Sequence, residues 1–378
     1  MTPHRYAYID ATRGYAILLV IAVHSSQYFS DLPDAVRTLA DQGARGVQLF
    51  FVASAMTLCM SWQARHDGSV PFYIRRFFRI APMYYLSIPL FLWVRGFGPS
   101  IYAPDGIGWR HIAMAATFTH GFMPDTITSV VPGSWSIADE MMFYAIFPIL
   151  MLGLARVRFV TAALAVIAAT WVCLRIQQST SMYAAHIVDP SWRDVTGTFF
   201  YLWFVPQLPC FLFGMLAFKW MAEGRTVRWP RTIVLISLLA MVLVAFFPDL
   251  PFIRRLDMPK QYGIVFAVFA LGLAHWQPLL LVNPLIGWIG KVSFSAYLVH
   301  LWVISTFAIP HSTYAEAFCA LTAITVAISS VTYFVVEEPG NRLGRYLAKR
   351  VRDAGSEKPS ASDLGPSPVI EEIAIGEK

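Results

Sequence analysis

Charge is scarce in this sequence. Asp, Glu, Lys and Arg make up 14% of its 378 residues, against 57% apolar residues. Ordinary soluble domains carry roughly a quarter charged residues, so a water-soluble globular chain is excluded. Cysteine is also sparse. Cys59, Cys173, Cys210 and Cys319 show no CxxC or Cys/His ligand spacing, which argues against a zinc centre or a disulfide framework and for buried free thiols, with no metal expected. Strand-like alternation is missing as well. A transmembrane β-barrel repeats alternating segments of about ten residues, whereas runs such as VTAALAVIAATWVCL (160–174) are apolar on every face. No internal repeat of the inverted-repeat transporter kind is evident. No small-residue cleavage site follows the first apolar stretch, which is expected to stay as a signal anchor.

What is present is a series of apolar runs long enough to cross a hydrocarbon core of about 30 Å. The expectation is an all-α, polytopic membrane protein of about ten spans, at 12–30, 46–62, 80–97, 137–154, 159–177, 197–219, 231–248, 261–276, 284–308 and 315–336. The ninth opens on Pro284, Gly287 and Gly290 and is expected to be tilted or broken. The formal charge of +6 points to membrane orientation rather than nucleic acid, because the basic residues collect in alternate loops. Arg65, Arg75, Arg76 and Arg79 follow the second span, Arg156 and Arg158 the fourth, Lys219, Arg225, Arg228 and Arg231 the sixth, and Arg342 to Arg352 the last. These faces are expected in the cytoplasm, with both termini, as in an inner-membrane protein. The long outer loop, 98–136, carries His111, His120, Asp105 and Asp125 and is expected to be functional or re-entrant. The membrane domain is read as 1–352, and the Ser-, Pro- and acid-rich 353–378 as a flexible cytoplasmic tail.

Polar groups inside apolar helices are costly and tend to face protein or water. Arg13 and His24 stand eleven residues apart in the first span, about three turns, so they share one face about 16 Å apart along the helix. Arg75 and Arg79 are spaced i,i+4 with Arg76 beside them, a cluster suited either to phosphate or to anchoring at anionic lipid heads. The fourth span opens GSWSIADEMMFY, with Glu140 on one face with Ser136 and Tyr144 and preceded by Trp135. Asp139 fits either a functional role or a place near the helix cap. The ninth span leads through Lys291, Ser293, Ser295 and Tyr297 to His300. This histidine reads as a hydrogen-bonded structural group or as part of a site. Glu337 and Glu338 before Pro339 read as an interface device at the end of the last helix. A neutral imidazole is a competent general base for a hydroxyl. The residues alone lead to a membrane site with a basic mouth and an imidazole deep inside.

At these positions the chain resembles the acyltransferase-3 family of integral membrane acyltransferases. The resemblance rests on the Arg13/His24 spacing, GVQLFFVAS (46–54), Arg75, Arg76 and Arg79, SWSIADEMMFY (134–144), SFSAYLVH (293–300) and VEEPGNRLG (336–344), in family order. Where the family carries FFxxSGF the chain has FFVASAM, with Ala55 at the glycine. The resemblance implies a ten-helix core, a cytoplasmic acyl-CoA donor, acetyl-CoA by expectation, used as cosubstrate rather than as a tightly bound cofactor. It implies a saccharide or lipid-linked glycan as acceptor. His24 and Glu140 are then the catalytic candidates, Arg13, Arg75, Arg76 and Arg79 the CoA-binding candidates, and Trp135, Ser136, Tyr144, Tyr297 and His300 the substrate-site candidates. His24 acts either as a base in direct transfer or through an acyl-histidine. The rival readings are a proton-coupled transporter or flippase using His24, Glu140 and His300 as a relay, and a non-enzymatic membrane subunit.

Overall fold

The computed structural model describes residues 6–356 apart from 187, 190, 191, 252, 254 and 308–312, with the backbone alone at 355 and 356. It is all-α, with no strand among the described residues. In chain order the helices are α1 (Ala7–Ser26), α2 (Asp34–Asp41), α3 (Gly46–Arg65), α4 (Ser69–Arg95), α5 (Trp109–Ala116), α6 (Trp135–Arg156), α7 (Phe159–His186) and α8 (Arg193–Leu202). They continue with α9 (Phe204–Ala222), α10 (Pro230–Phe246), α11 (Met258–His275), α12 (Pro284–Lys291), α13 (Ser293–Thr306), α14 (Tyr314–Thr332) and α15 (Glu338–Ser356). A π-helical turn, Tyr333–Glu337, joins the last two.

Among the described residues, seven helical segments are long and apolar enough to cross a membrane, so the chain is a polytopic membrane protein. The expected count of ten is not reached by this measure. The segment expected at 231–248 falls on α10, with 17 residues. That at 261–276 falls on α11, whose polar start at Pro259, Lys260 and Gln261 dilutes its apolar character. The one at 284–308 is broken at Val292 into α12 and α13. The thiols also depart in part from expectation: all four are free, but Cys319 is exposed on α14 while Cys59, Cys173 and Cys210 are buried. Residues 357–378, most of the expected tail, lie outside the described residues.

α1 runs through the middle of the packing, held by glycines on two sides. A Cβ on Gly290 of α12 would lie 1.7 Å from the Asp10 carbonyl oxygen, and one on Gly14 2.4 Å from that of Ile286. On another side, a Cβ on Gly43 would lie 2.2 Å from the Leu19 carbonyl oxygen and one on Gly46 2.3 Å from that of Ala16. Lipid tails are as apolar as leucine, so helices in a bilayer associate through such close packing rather than through hydrophobic exclusion. Gly290→Ala is therefore expected to force α12 off α1. Overpacking typically costs about 1–3 kcal/mol, read as a lowered thermal unfolding midpoint in lipid; an unchanged midpoint would mean that the two backbones do not meet here.

Behind α1, aromatic rings join four helices. Phe211 of α9 stacks on Phe51 of α3 at 4.3 Å and on Phe143 of α6 at 4.2 Å, and Phe72 of α4 stacks on Phe147 of α6 at 5.1 Å. Such pairs add about 0.5–1.5 kcal/mol each beyond the area they bury. They fix α3, α4 and α6 around the space that α1 closes.

Segment 98–134 folds over the end of the bundle where α1 terminates. Ile127, Val130 and Val131 are buried. His120 stacks on Tyr84 at 5.8 Å, with Nε2 3.0 Å from the Ser134 carbonyl oxygen. Burial pushes the His120 imidazole below its ordinary value, a shift the Ser134 carbonyl opposes.

Candidate active site

The chemistry-bearing side chains divide between two cavities. The first lies between α1, α3, α4, α6 and α13 and is lined by Arg13, Arg76, Arg79, Ser54, Thr57, Ser136, Glu140, Tyr144 and Tyr297 among others. Each cation has its own support. Arg13 donates to Thr57 Oγ1 at 3.1 Å, and Thr57 is oriented by donating to the Ala53 carbonyl at 2.7 Å. Arg79 is ion-paired to Glu337 and lies over the Phe294 ring at 5.5 Å. Arg76 lies 5.8 Å over Phe72, and its Nε has no hydrogen-bond partner among the described residues. Glu140 supplies the facing negative charge: its Oε1 accepts from Ser54 Oγ at 2.5 Å and from Tyr144 Oη at 2.6 Å.

This cavity holds three arginines against one lining carboxylate; Glu337 pairs with Arg79 and Asp10 lies 4.0 Å from Arg13, which leaves Arg76 without an ion-pair partner among the described residues. A site of that balance favours a polyanion. Arg13 and Thr57 also line an adjoining cavity that includes Asp10, Ser61 and Arg65, so the arginine cavity continues toward the end of the bundle where α1 begins and where the basic loops gather.

The second cavity opens at the other end. Its walls include His24, Gln27, Arg45, Gln48, Arg95, Tyr102, Trp135, Tyr201, Tyr297 and His300. His24 and His300 face one another with ring centroids 5.3 Å apart. His300 Nδ1 is 2.6 Å from the Tyr297 carbonyl oxygen, so Nδ1 carries the proton and donates; its Nε2 is buried without a partner among the described residues. His24 Nδ1 lies 3.4 Å from Gln27 Oε1, at the outer limit of a hydrogen bond. Among the described residues, no carboxylate reaches either ring.

Tyr297 and Val47 are the residues common to both cavities. The Tyr297 hydroxyl accepts from Ser136 Oγ at 2.8 Å and donates to the Gly133 carbonyl at 2.9 Å, which holds the ring as a partition. Gly133 has a φ of +76°, and a Cβ there would lie 3.1 Å from that hydroxyl, so a side chain would be strained at this turn and would crowd its contact.

Arg13 and His24 thus both face inward from α1, as their spacing requires, but toward different chambers. Glu140 belongs to the arginine cavity and not to His24. Arg75 lines neither chamber. It makes a buried bidentate ion pair with Asp67, at 2.5 and 2.8 Å. Burial works against the Asp67 carboxylate, yet the hydrogen bonds and charge of Arg75, with the charge of Arg65, hold it below its ordinary range. The cluster read as 75, 76 and 79 is therefore divided, with Arg76 and Arg79 on the cavity face. Glu337, read as an interface group, is 1% exposed and accepts from Ser295 Oγ at 2.8 Å besides pairing with Arg79. Glu338 turns outward to Arg342 at 3.0 Å and Arg345 at 3.1 Å. Ser54, Thr57, Ser295 and Glu337 went unread as site groups. For Ser54 and Thr57 the i,i+3 spacing of two hydroxyls in an apolar helix was an available signal.

Residues 6–334 match the family described as acyltransferase domain. Among characterised proteins, the chain is 28% identical to the acyltransferase MdmB of Streptomyces mycarofaciens, over 89% of this chain and 91% of that protein. It is 26% identical to the exopolysaccharide production protein ExoZ of Rhizobium meliloti, over 82% and 92%. It is 22% identical to BcsY of Komagataeibacter xylinus, a putatively assigned membrane-bound transacylase, over 97% and 91%. No solved structure matches the chain significantly. A match over nearly all of the membrane-embedded chain, with full-length relatives that include an acyltransferase, means that this protein belongs to the acyltransferase-3 family of membrane acyltransferases.

Proposed function

We propose that the protein is an inner-membrane O-acyltransferase that takes an acyl group, acetyl by preference, from acyl-CoA in the cytoplasm and places it on a hydroxyl of a saccharide or lipid-linked glycan. The carrying observation is the partition: an arginine-lined cavity and a histidine-lined cavity share Tyr297 and Val47. Basic loops at the α1-start end support a cytoplasmic position for the first cavity and for both termini. Arg13, Arg76 and Arg79 there grip the CoA phosphates. The pantetheine arm runs along α1, where Arg13 and His24 are about 16 Å apart, and presents the thioester at the partition.

The acceptor hydroxyl lies in the second cavity. His24 takes its proton as the oxygen attacks the thioester carbonyl, a C–O bond forms, the C–S bond breaks, and the leaving thiolate receives the proton to give CoA–SH. Glu140 tunes the donor cavity rather than orienting the imidazole, and Gln27 and His300 are the groups that steady His24. The relay expected of a transporter is not favoured by this geometry, since Glu140 and the two histidines line different chambers.

The test is free thiol release from acetyl-CoA by the purified protein in lipid, with and without a membrane glycan extract. Release that depends on the extract is expected. Absence of release with acetyl-CoA and with longer and dicarboxylic acyl-CoA donors would overturn the enzymatic reading.

A further inference from the structure

The histidine cavity has a charge of its own. Two arginines line it, Arg45 and Arg95, and no Asp or Glu does so among the described residues. Neither guanidinium has a carboxylate within ion-pair distance among the described residues. Arg45 is set by Tyr201, to which it donates and over whose ring it lies at 5.8 Å, and its Nε is buried without a hydrogen-bond partner. Arg95, at the end of α4, is exposed and rests over Phe91 at 5.9 Å. Trp135, Tyr102 and Tyr201 share the same wall. A purely neutral sugar would leave the partly buried Arg45 unmatched, with the exposed Arg95 guanidinium free beside it. An acceptor carrying an anionic group would pair with them while its sugar ring packs on the aromatic faces.

We infer that the acceptor is an anionic saccharide, whose carboxylate or phosphate is bound by Arg45 and Arg95 while its hydroxyl faces His24. This rests on the proposed transferase reading and names the acceptor class. Carboxylate and phosphate present the same chemistry to a guanidinium, from a uronate ring or from the phosphate of a polyprenyl-linked glycan.

Both sources and the binding step are separable from turnover. Three probes are added to the protein in lipid: a neutral oligosaccharide, a hexuronate oligosaccharide and a polyprenyl-phosphate-linked neutral glycan. Quenching of tryptophan fluorescence reads binding, and thiol release from acetyl-CoA reads turnover. At least one anionic probe is expected to bind tenfold or more tightly than the neutral one, with affinity falling as salt rises; which one does so identifies the source. Arg95→Gln, at an exposed site where folding is not at risk, is expected to raise the Kd for that probe about tenfold, a change equivalent to about 1.4 kcal/mol. Arg45→Gln should act in the same direction. Equal binding of neutral and anionic probes, or an Arg95→Gln variant that keeps the preference for the anion, overturns the inference. Preferential binding without thiol release from any donor upholds the anion site and defeats the transferase reading instead.

Discussion

His24→Ala is expected to lower acceptor-dependent thiol release from acetyl-CoA by 10²- to 10⁴-fold, the range typical of losing a positioned general base. The local structure should survive. His24 lies in the last turn of α1 and contacts Gln27 and His300 at a cavity wall, while alanine is the best helix former. The arginine cavity, the proposed donor site, is built from other residues, so CoA binding, measured calorimetrically, is expected to persist in the variant. That split between retained binding and lost turnover is what separates a catalytic histidine from a structural one. His24→Gln supplies a side chain able to hydrogen-bond but unable to carry the proton, and is expected to be as inactive as alanine. Turnover preserved in either variant would remove both direct transfer and an acyl-histidine from consideration.

The second large effect is expected at Glu337. Its side chain is fully buried, it pairs with Arg79, and its other oxygen accepts from Ser295. Removing one partner of a buried ion pair leaves an uncompensated charge and typically costs about 3–5 kcal/mol. Glu337→Ala should therefore lower the unfolding midpoint in lipid and release Arg79 from its aim into the donor cavity, raising KM for acyl-CoA more than it lowers kcat. Glu337→Gln keeps an oxygen that accepts from Arg79, while its amide N–H must donate to Ser295 Oγ where the carboxylate accepted, and it should recover part of the stability. If Glu337→Ala unfolds at the wild-type midpoint and keeps the wild-type KM, the pair has no part in holding the donor site.

These residues mark where the sequence was readable. Composition and the length of the apolar runs were enough for an all-α membrane protein, because the bilayer imposes both. Arg13 and His24 were legible because one uninterrupted helix links them, and the 3.6-residue period places both inward. Ser136, Glu140 and Tyr144 were legible as one face on the same ground, whereas Trp135, one residue before Ser136, lines the other cavity. Arg75 was not. Its i,i+4 relation to Arg79 says nothing about Asp67, which sits in the turn before α4 and draws the guanidinium away from the cavity. Glu337 was hidden by the π-helical turn at Tyr333–Glu337. A wide turn of this kind interrupts the α-helical period, so two adjacent acids part company, one to Arg79 and one to the surface. The break at Val292 has a similar origin: α12 is fitted to the backbone of α1 at Gly290, a partner almost three hundred residues upstream by sequence number. That the two polar faces would open into separate chambers divided by one tyrosine could not be read from spacing along any single helix.

The glycine seams along α1 bear on how a group could cross the membrane here. A helix whose carbonyls at Asp10, Ala16 and Leu19 are met by Gly290, Gly46 and Gly43, and whose own Gly14 meets the Ile286 carbonyl, has no clearance to slide or rock, since interfaces packed this closely are bistable at best and not continuously deformable. Under the proposed function the protein would then work as a bulkhead rather than a revolving door: CoA would stay on one side and the glycan on the other, and the cargo changing sides would be as small as an acetyl group passing a single phenol ring. On that account the barrier to ions and protons need never be opened for the chemistry to proceed.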